Sequence, residues 1–148
     1  MFTNILCATD LNDASSQAVS KAVQLAHQYN SNVIMLNVHE EFMSQEEMSM
    51  LRVSIETMKS AFEATALKAK NEMRELIKIL HAEDINVEYV LKEGKPSRVI
   101  CEEAIKQASD LIIMGVGDKS LFSSFIYKST ASYVIEHVRI PVLVVPLK

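Results

Sequence analysis

The sequence predicts one α/β domain built on a parallel β-sheet, and three observations predict it. Five short apolar runs alternate along the chain with four stretches of helical periodicity. Most of those runs are continuously apolar, as strands are when helices cover both faces of the sheet. The length, 148 residues with 49% hydrophobic and 23% charged, suits one sizeable core. Residues 1–148 contain no internal repeat and no low-complexity linker, so they read as a single domain with right-handed crossovers.

Each element follows in order. Phe2 to Thr9 reads as a buried first strand ending at Asp10. Asn12 and Asp13 offer N-caps to a helix carrying Ala14, Ala18, Val19, Ala22, Val23, Leu25 and Ala26. Ser31-Asn32 makes a turn into a second strand, Val33 to Val38, which runs out at His39-Glu40. Ser44 with Glu47 forms a capping-box signature, and apolar residues then recur by threes and fours from Met48 to Leu80. As one helix, Gln45 to His81 would extend about 55 Å, far beyond a small domain's diameter of roughly 30 Å. Such a helix breaks near Ser54 to Ser60, or its first half projects and packs elsewhere. Its Met-rich stripe reads as core-facing in preference to a partner face.

Asp84 to Leu91 alternates and predicts a third strand. Gly94, Pro96 and Ser97 form a turn with Pro near the first turn of a third helix, which carries Val99, Ile100, Ala104, Ile105 and Ala108. Asp110 to Met114 is a fourth strand. A polar loop follows, and Ser129 or a neighbour caps a helix through Ala131, Val134, Ile135 and Val138. Pro141 to Pro146 is the fifth strand.

Composition excludes several classes. A net charge of -4 leaves no basic excess, which makes nucleic acid and anionic membrane poor default partners. The longest apolar runs, Leu111 to Met114 and Val142 to Val145, are too short to span a bilayer. The chain enters a strand at once, without a signal-like segment, and reads as cytoplasmic. Cys7 and Cys101 sit in apolar segments without metal-ligand spacing and read as buried free thiols in a reduced compartment.

In an open parallel sheet, ligands bind beyond the carboxyl ends of the strands, where strand order reverses. Those ends carry Asp10, His39-Glu40, Glu93-Gly94 and Gly115-Val116-Gly117-Asp118. A strand order of 3-2-1-4-5 would set Asp10 beside Met114 and Gly115. Asp10 there accepts from a ribose hydroxyl or base amine, or simply from backbone N–H groups at the helix start. His39, with no third ligand or nucleophile beside it, reads as structural. The loop after strand 4 fits neither a Walker loop nor a dinucleotide fingerprint, because Gly115 and Gly117 are wrongly spaced and Ser120 stands at the third glycine. Lys128-Ser129-Thr130 at a helix start offers charge, hydroxyls and free N–H groups to an anion.

Taken together and in this order, ILCATDLNDAS, VIMLNVHE, EGKPSRVICEEAIKQASDLIIMG and KSTASYVIEHVRIPVLVV resemble the universal stress protein family. The resemblance covers essentially the whole chain. It implies an open, Rossmann-like, five-stranded parallel sheet of the adenine nucleotide alpha hydrolase-like kind, in order 3-2-1-4-5 with helices on both faces. It also implies a homodimer formed through the last strand, Pro141 to Val145. Many members bind ATP through G-x2-G-x9-G-[ST] after strand 4. Here Gly115 matches the first glycine and Ser129 the final hydroxyl, while Asp118 and Lys128 replace the other two glycines. On the adenosine side Asp10, Val38 and Met114 match.

The resemblance therefore implies a non-enzymatic, homodimeric stress-response module with a degraded nucleotide pocket, which leaves a protein partner open. The alternative is an ATP- or AMP-binding regulatory switch using Asp10, Val38, Met114, Gly115, Lys128, Ser129 and Thr130, with Lys128 in place of a missing glycine. No base, nucleophile and metal set supports a hydrolase.

Overall fold

A computed structural model of the chain describes residues 1–11, 13–40, 50, 54–116 and 130–146. Its elements are β1 (Asn4–Ala8), α1 (Asp13–Tyr29), β2 (Asn32–His39), α2 (Ile55–Ile79), β3 (Val87–Glu93), α3 (Pro96–Lys106), β4 (Leu111–Val116) and β5 (Val142–Pro146), with a helix α4 over residues 130–137 before β5. The strands form one sheet in order β3-β2-β1-β4-β5, and every neighbouring pair is parallel. The open α/β sheet expected from the sequence is thus the fold observed.

Continuous apolar strands bury both faces. Ile5, Cys7, Val33, Met35, Leu111 and Ile113 meet α1 and α2 in one core. Leu6, Ile34, Leu36, Ile112 and Met114 meet α3 and α4 in the other. The alternation assigns neighbouring residues of one strand to opposite cores, as the two-residue side-chain period requires. Cys7 and Cys101 are both buried and unbridged, as expected.

Three element boundaries differ from expectation. β3 begins at Val87, because its ladder to β2 opens at Val33↔Val87; Asp84, placed in the strand by its alternating pattern, sits in the preceding turn and holds His27 at 3.0 Å. β4 extends a little past its expected end, to Val116, whereas β5 ends at Pro146 as expected. α2 begins at Ile55 behind an N-cap from Ser54, whose hydroxyl accepts from the Thr57 N–H at 3.0 Å. The start of α2 thus falls at the edge of the expected break; the Ser44–Glu47 capping box, Met48 and Leu51 lie outside the described residues. The stripe divides. Ala69, Met73 and Ile77 are buried, whereas Ile55 is 76% exposed. The core-facing reading therefore holds for the second half of α2 but not for its first turn.

The amino ends of the strands are tied by polar side chains. Asp110 accepts from the Thr3 and Asn4 N–H groups at 2.8 and 3.0 Å. Asn86 donates to Asn32 and Asn32 to Asn4, a short ladder across three strands. This leaves the carboxyl ends for function. Among the described residues no helix is long and apolar enough to cross a membrane.

Candidate functional site

The chain crosses from β1 outward to β2 and β3, then returns to the other side of β1 for β4 and β5. The crevice of such a sheet lies at the carboxyl end of β1, between β2 and β4. β1 stops early: Ala8 stands opposite Leu36 on one side and Met114 on the other, while β2 continues to His39 and β4 to Val116. The two flanking strands overhang the gap.

Two residues beyond β1 shape it. The Thr9 N–H still donates to the Leu36 carbonyl at 2.9 Å. The chain then turns at Leu11, whose φ of 67° lies in the left-handed region. An L-residue with a side chain pays about 1–2 kcal/mol for that conformation. The turn is held by the Leu11 N–H donating to Thr9 Oγ1 at 3.0 Å, a short side-chain turn. It leaves Asp10 exposed at the tip. On β2, buried Asn37 donates through Nδ2 to the Thr9 carbonyl at 2.7 Å.

Ladder geometry fixes where Val38 points. In a strand the N–H and C=O of one residue face the same neighbour, and successive residues alternate. Leu36 faces β1, because its carbonyl takes the Thr9 N–H. His39 faces β3, because its carbonyl accepts from the Gly94 N–H at 2.8 Å. Val38 therefore turns its N–H and C=O to the β1 side, above the point where β1 has turned away. Its side chain, like that of Ala8, packs against the α3–α4 core that contains Met114, which puts apolar side chains at this end of the sheet. Gly115, half-buried on β4 and opposite Val145 on β5, completes the rim.

Of the expected site residues, Asp10, Val38, Met114 and Gly115 come together at this end of the sheet. Thr130 is half-buried in the first described turn of α4, which the β4–β5 crossover brings to the same end. Lys128 and Ser129, together with Gly117 and Asp118, lie outside the described residues. His39 stands opposite Glu93 on β3.

The described arrangement offers a carboxylate that accepts from hydroxyls or amines, a main-chain donor and acceptor side by side, and apolar side chains at the same end of the sheet. Those groups suit the nucleoside part of a nucleotide: a flat base with an acceptor and a donor on one edge, and a sugar diol. Among the described residues no group of three or more His, Cys, Asp or Glu is placed to hold a metal ion. Sequence reasoning overlooked Thr9 and Asn37. The available signal was Asn37 itself, a lone amide closing the apolar run VIML.

Comparison with known proteins agrees with this geometry at the level of the fold. The model of the Universal stress protein family matches residues 1–146. Universal stress protein MJ0531 of Methanocaldococcus jannaschii is 27% identical over 147 residues, covering 98% of this chain and 82% of the relative. The solved structure of universal stress protein UspA from Lactobacillus plantarum superposes with a TM-score of 0.77 at 25% identity, covering 97% of each chain. A universal stress protein solved in complex with cAMP has a TM-score of 0.72 at 20% identity, covering 98% of this chain and 97% of its own, a likeness of fold alone.

Proposed function

The chain belongs to the universal stress protein family, and on that premise we propose that it is a non-catalytic, homodimeric, cytoplasmic stress-response module whose pocket takes the adenosine part of a mononucleotide in preference to ATP. One observation carries the ligand reading: the overhang of β2 and β4 beyond β1, which sets the Val38 main chain, Asp10 and Gly115 around one gap.

The preference for a mononucleotide comes from the loop's composition. Asp118 stands where the family's ATP loop has its second glycine, and a carboxylate near a polyphosphate repels it. Lys128 supplies one positive charge at the third glycine's place, enough for a single phosphate and too little for three. In this sense the pocket is degraded on its phosphate side and intact on its adenosine side. That a fold relative was solved with cAMP is in keeping with a mononucleotide ligand. The non-catalytic reading rests on the sequence, which supplies no base, nucleophile and metal set.

The dimer reading rests on β5. It is an edge strand with Leu143 exposed and Val142 and Val144 half-exposed. Such an edge pairs readily with another chain, and antiparallel pairing of Pro141 to Val145 with its twin would cover it.

Thermal unfolding tests the ligand. A ligand at a hundred times its Kd adds about 2.7 kcal/mol, so AMP or cAMP should raise the Tm by several degrees, with little response in Asp10→Ala. A full response to ATP with none to AMP would overturn the preference, and no response to any adenine nucleotide would overturn the pocket. Sedimentation at tens of micromolar should show a dimer; a strict monomer contradicts the edge pairing.

A further inference from the structure

The next rung of the β1–β2 ladder is missing, and two side chains have taken its place. The pairing Ala8↔Leu36 uses the Thr9 N–H and the Leu36 carbonyl. A parallel ladder continued by one more rung would join the Val38 N–H to the Thr9 carbonyl and the Leu11 N–H to the Val38 carbonyl. Instead the Thr9 carbonyl takes Asn37 Nδ2 at 2.7 Å, and the Leu11 N–H goes to Thr9 Oγ1 at 3.0 Å. Both β1 groups that would have captured Val38 are thus satisfied by side chains.

We propose that Asn37 and Thr9 are positioning residues that hold the Val38 N–H and C=O out of the sheet, so that this donor–acceptor pair is kept for a ligand base. The ligand part rests on the adenosine-pocket reading above; the rung replacement does not. Three further features fit the proposal. Asn37 is 3% exposed, so its amide is fixed and not a floppy surface group. Among the described residues its Oδ1 is buried without a hydrogen-bond partner, a costly arrangement in a buried amide. Leu11 is held at a φ of 67°, strain of the kind that collects at binding sites. A strand that simply continued, with an apolar residue at position 37, would incur neither cost.

The test is amide hydrogen exchange read by NMR on the full chain without ligand, with AMP titration alongside. In the wild type the Val38 amide should exchange fast without ligand and slow when AMP binds. Asn37→Leu removes the donor at similar volume, and Thr9→Val removes the hydroxyl at similar shape. In Asn37→Leu the Val38 amide should be protected without ligand by roughly tenfold, the weight of one ordinary hydrogen bond. AMP affinity should fall by a similar factor in both variants, and Thr9→Ser, which keeps the hydroxyl, should behave as wild type.

A Val38 amide already protected in the wild type without ligand overturns the proposal. So does unchanged AMP affinity in both variants of a wild type that binds. If the exchange pattern appears but no variant, wild type included, binds AMP, the rung replacement stands and the nucleotide reading falls.

Discussion

Gly94 closes the end of β3 against β2, donating its N–H to the His39 carbonyl at 2.8 Å. Its φ of +144° is strained for any L side chain, and an added Cβ would stand 3.0 Å from Val99 Cγ2. Gly94→Ala should therefore lose roughly 1–3 kcal/mol in urea unfolding, the usual cost of a strained backbone position. A neutral result would show that the turn relaxes freely. At this scale the sequence was only partly readable. Gly94 and Asp10 announced themselves by residue type and by position at strand ends. The roles of Thr9 and Asn37 did not, because they depend on which rung of a ladder is absent, and register between β1 and β2 is a tertiary property. Cys7 was legible as a buried thiol from its apolar neighbours; burial pushes it up to about 12, so it stays protonated and unreactive.

Among the elements, α2 carries the sharpest contrast. Met73 is wholly buried against the sheet, while Ile55 in the first turn stands in solvent. Met73→Ala should cost roughly 2–5 kcal/mol by loss of burial and creation of a cavity, whereas Ile55→Ala should change stability by less than about 0.5 kcal/mol. Equal effects would mean that the first turn is packed in solution, for instance against a second chain. The periodicity from Met48 to Leu80 showed a helix but not its start, since threes and fours continue across a cap without change. Ser54 starts the helix through a local hydrogen bond that the apolar pattern does not register. The alternation that carried the third strand back to Asp84 failed for a similar reason, since Asp84 is held in a turn by His27 of α1. That hydrogen bond, helped less by a backbone hydrogen bond and least by the attraction of the histidine's charge, holds the Asp84 carboxyl below its ordinary 3.8. A lowered carboxyl pKa stabilises above the ordinary value and loses its effect as pH falls through the lowered one. The advantage of wild type over Asp84→Asn should thus be small, because the pair is exposed and solvent-screened, level at neutral pH, and shrinking once pH drops below 3.8. An advantage that grows on acidification contradicts this sign.

For the whole molecule, strand count, parallel direction and two-sided burial followed from composition and periodicity. Strand order came from resemblance to a family, because hydrophobic runs do not say which strand neighbours which. That order, β3-β2-β1-β4-β5, is what turns separate strand ends into a candidate site: it brings Asp10 between Val38 and Gly115, three residues far apart in the chain. The central claim is that this site keeps the adenosine half of a nucleotide pocket while the loop carrying Asp118 and Lys128 has given up the polyphosphate half. Calorimetric titration of the full chain with AMP and with ATP, each with and without Mg²⁺, tests it most directly. The account predicts micromolar binding of AMP, with ATP bound no more tightly and Mg²⁺ making little difference. ATP binding tenfold tighter than AMP, or no heat from either nucleotide at millimolar concentration, would contradict it.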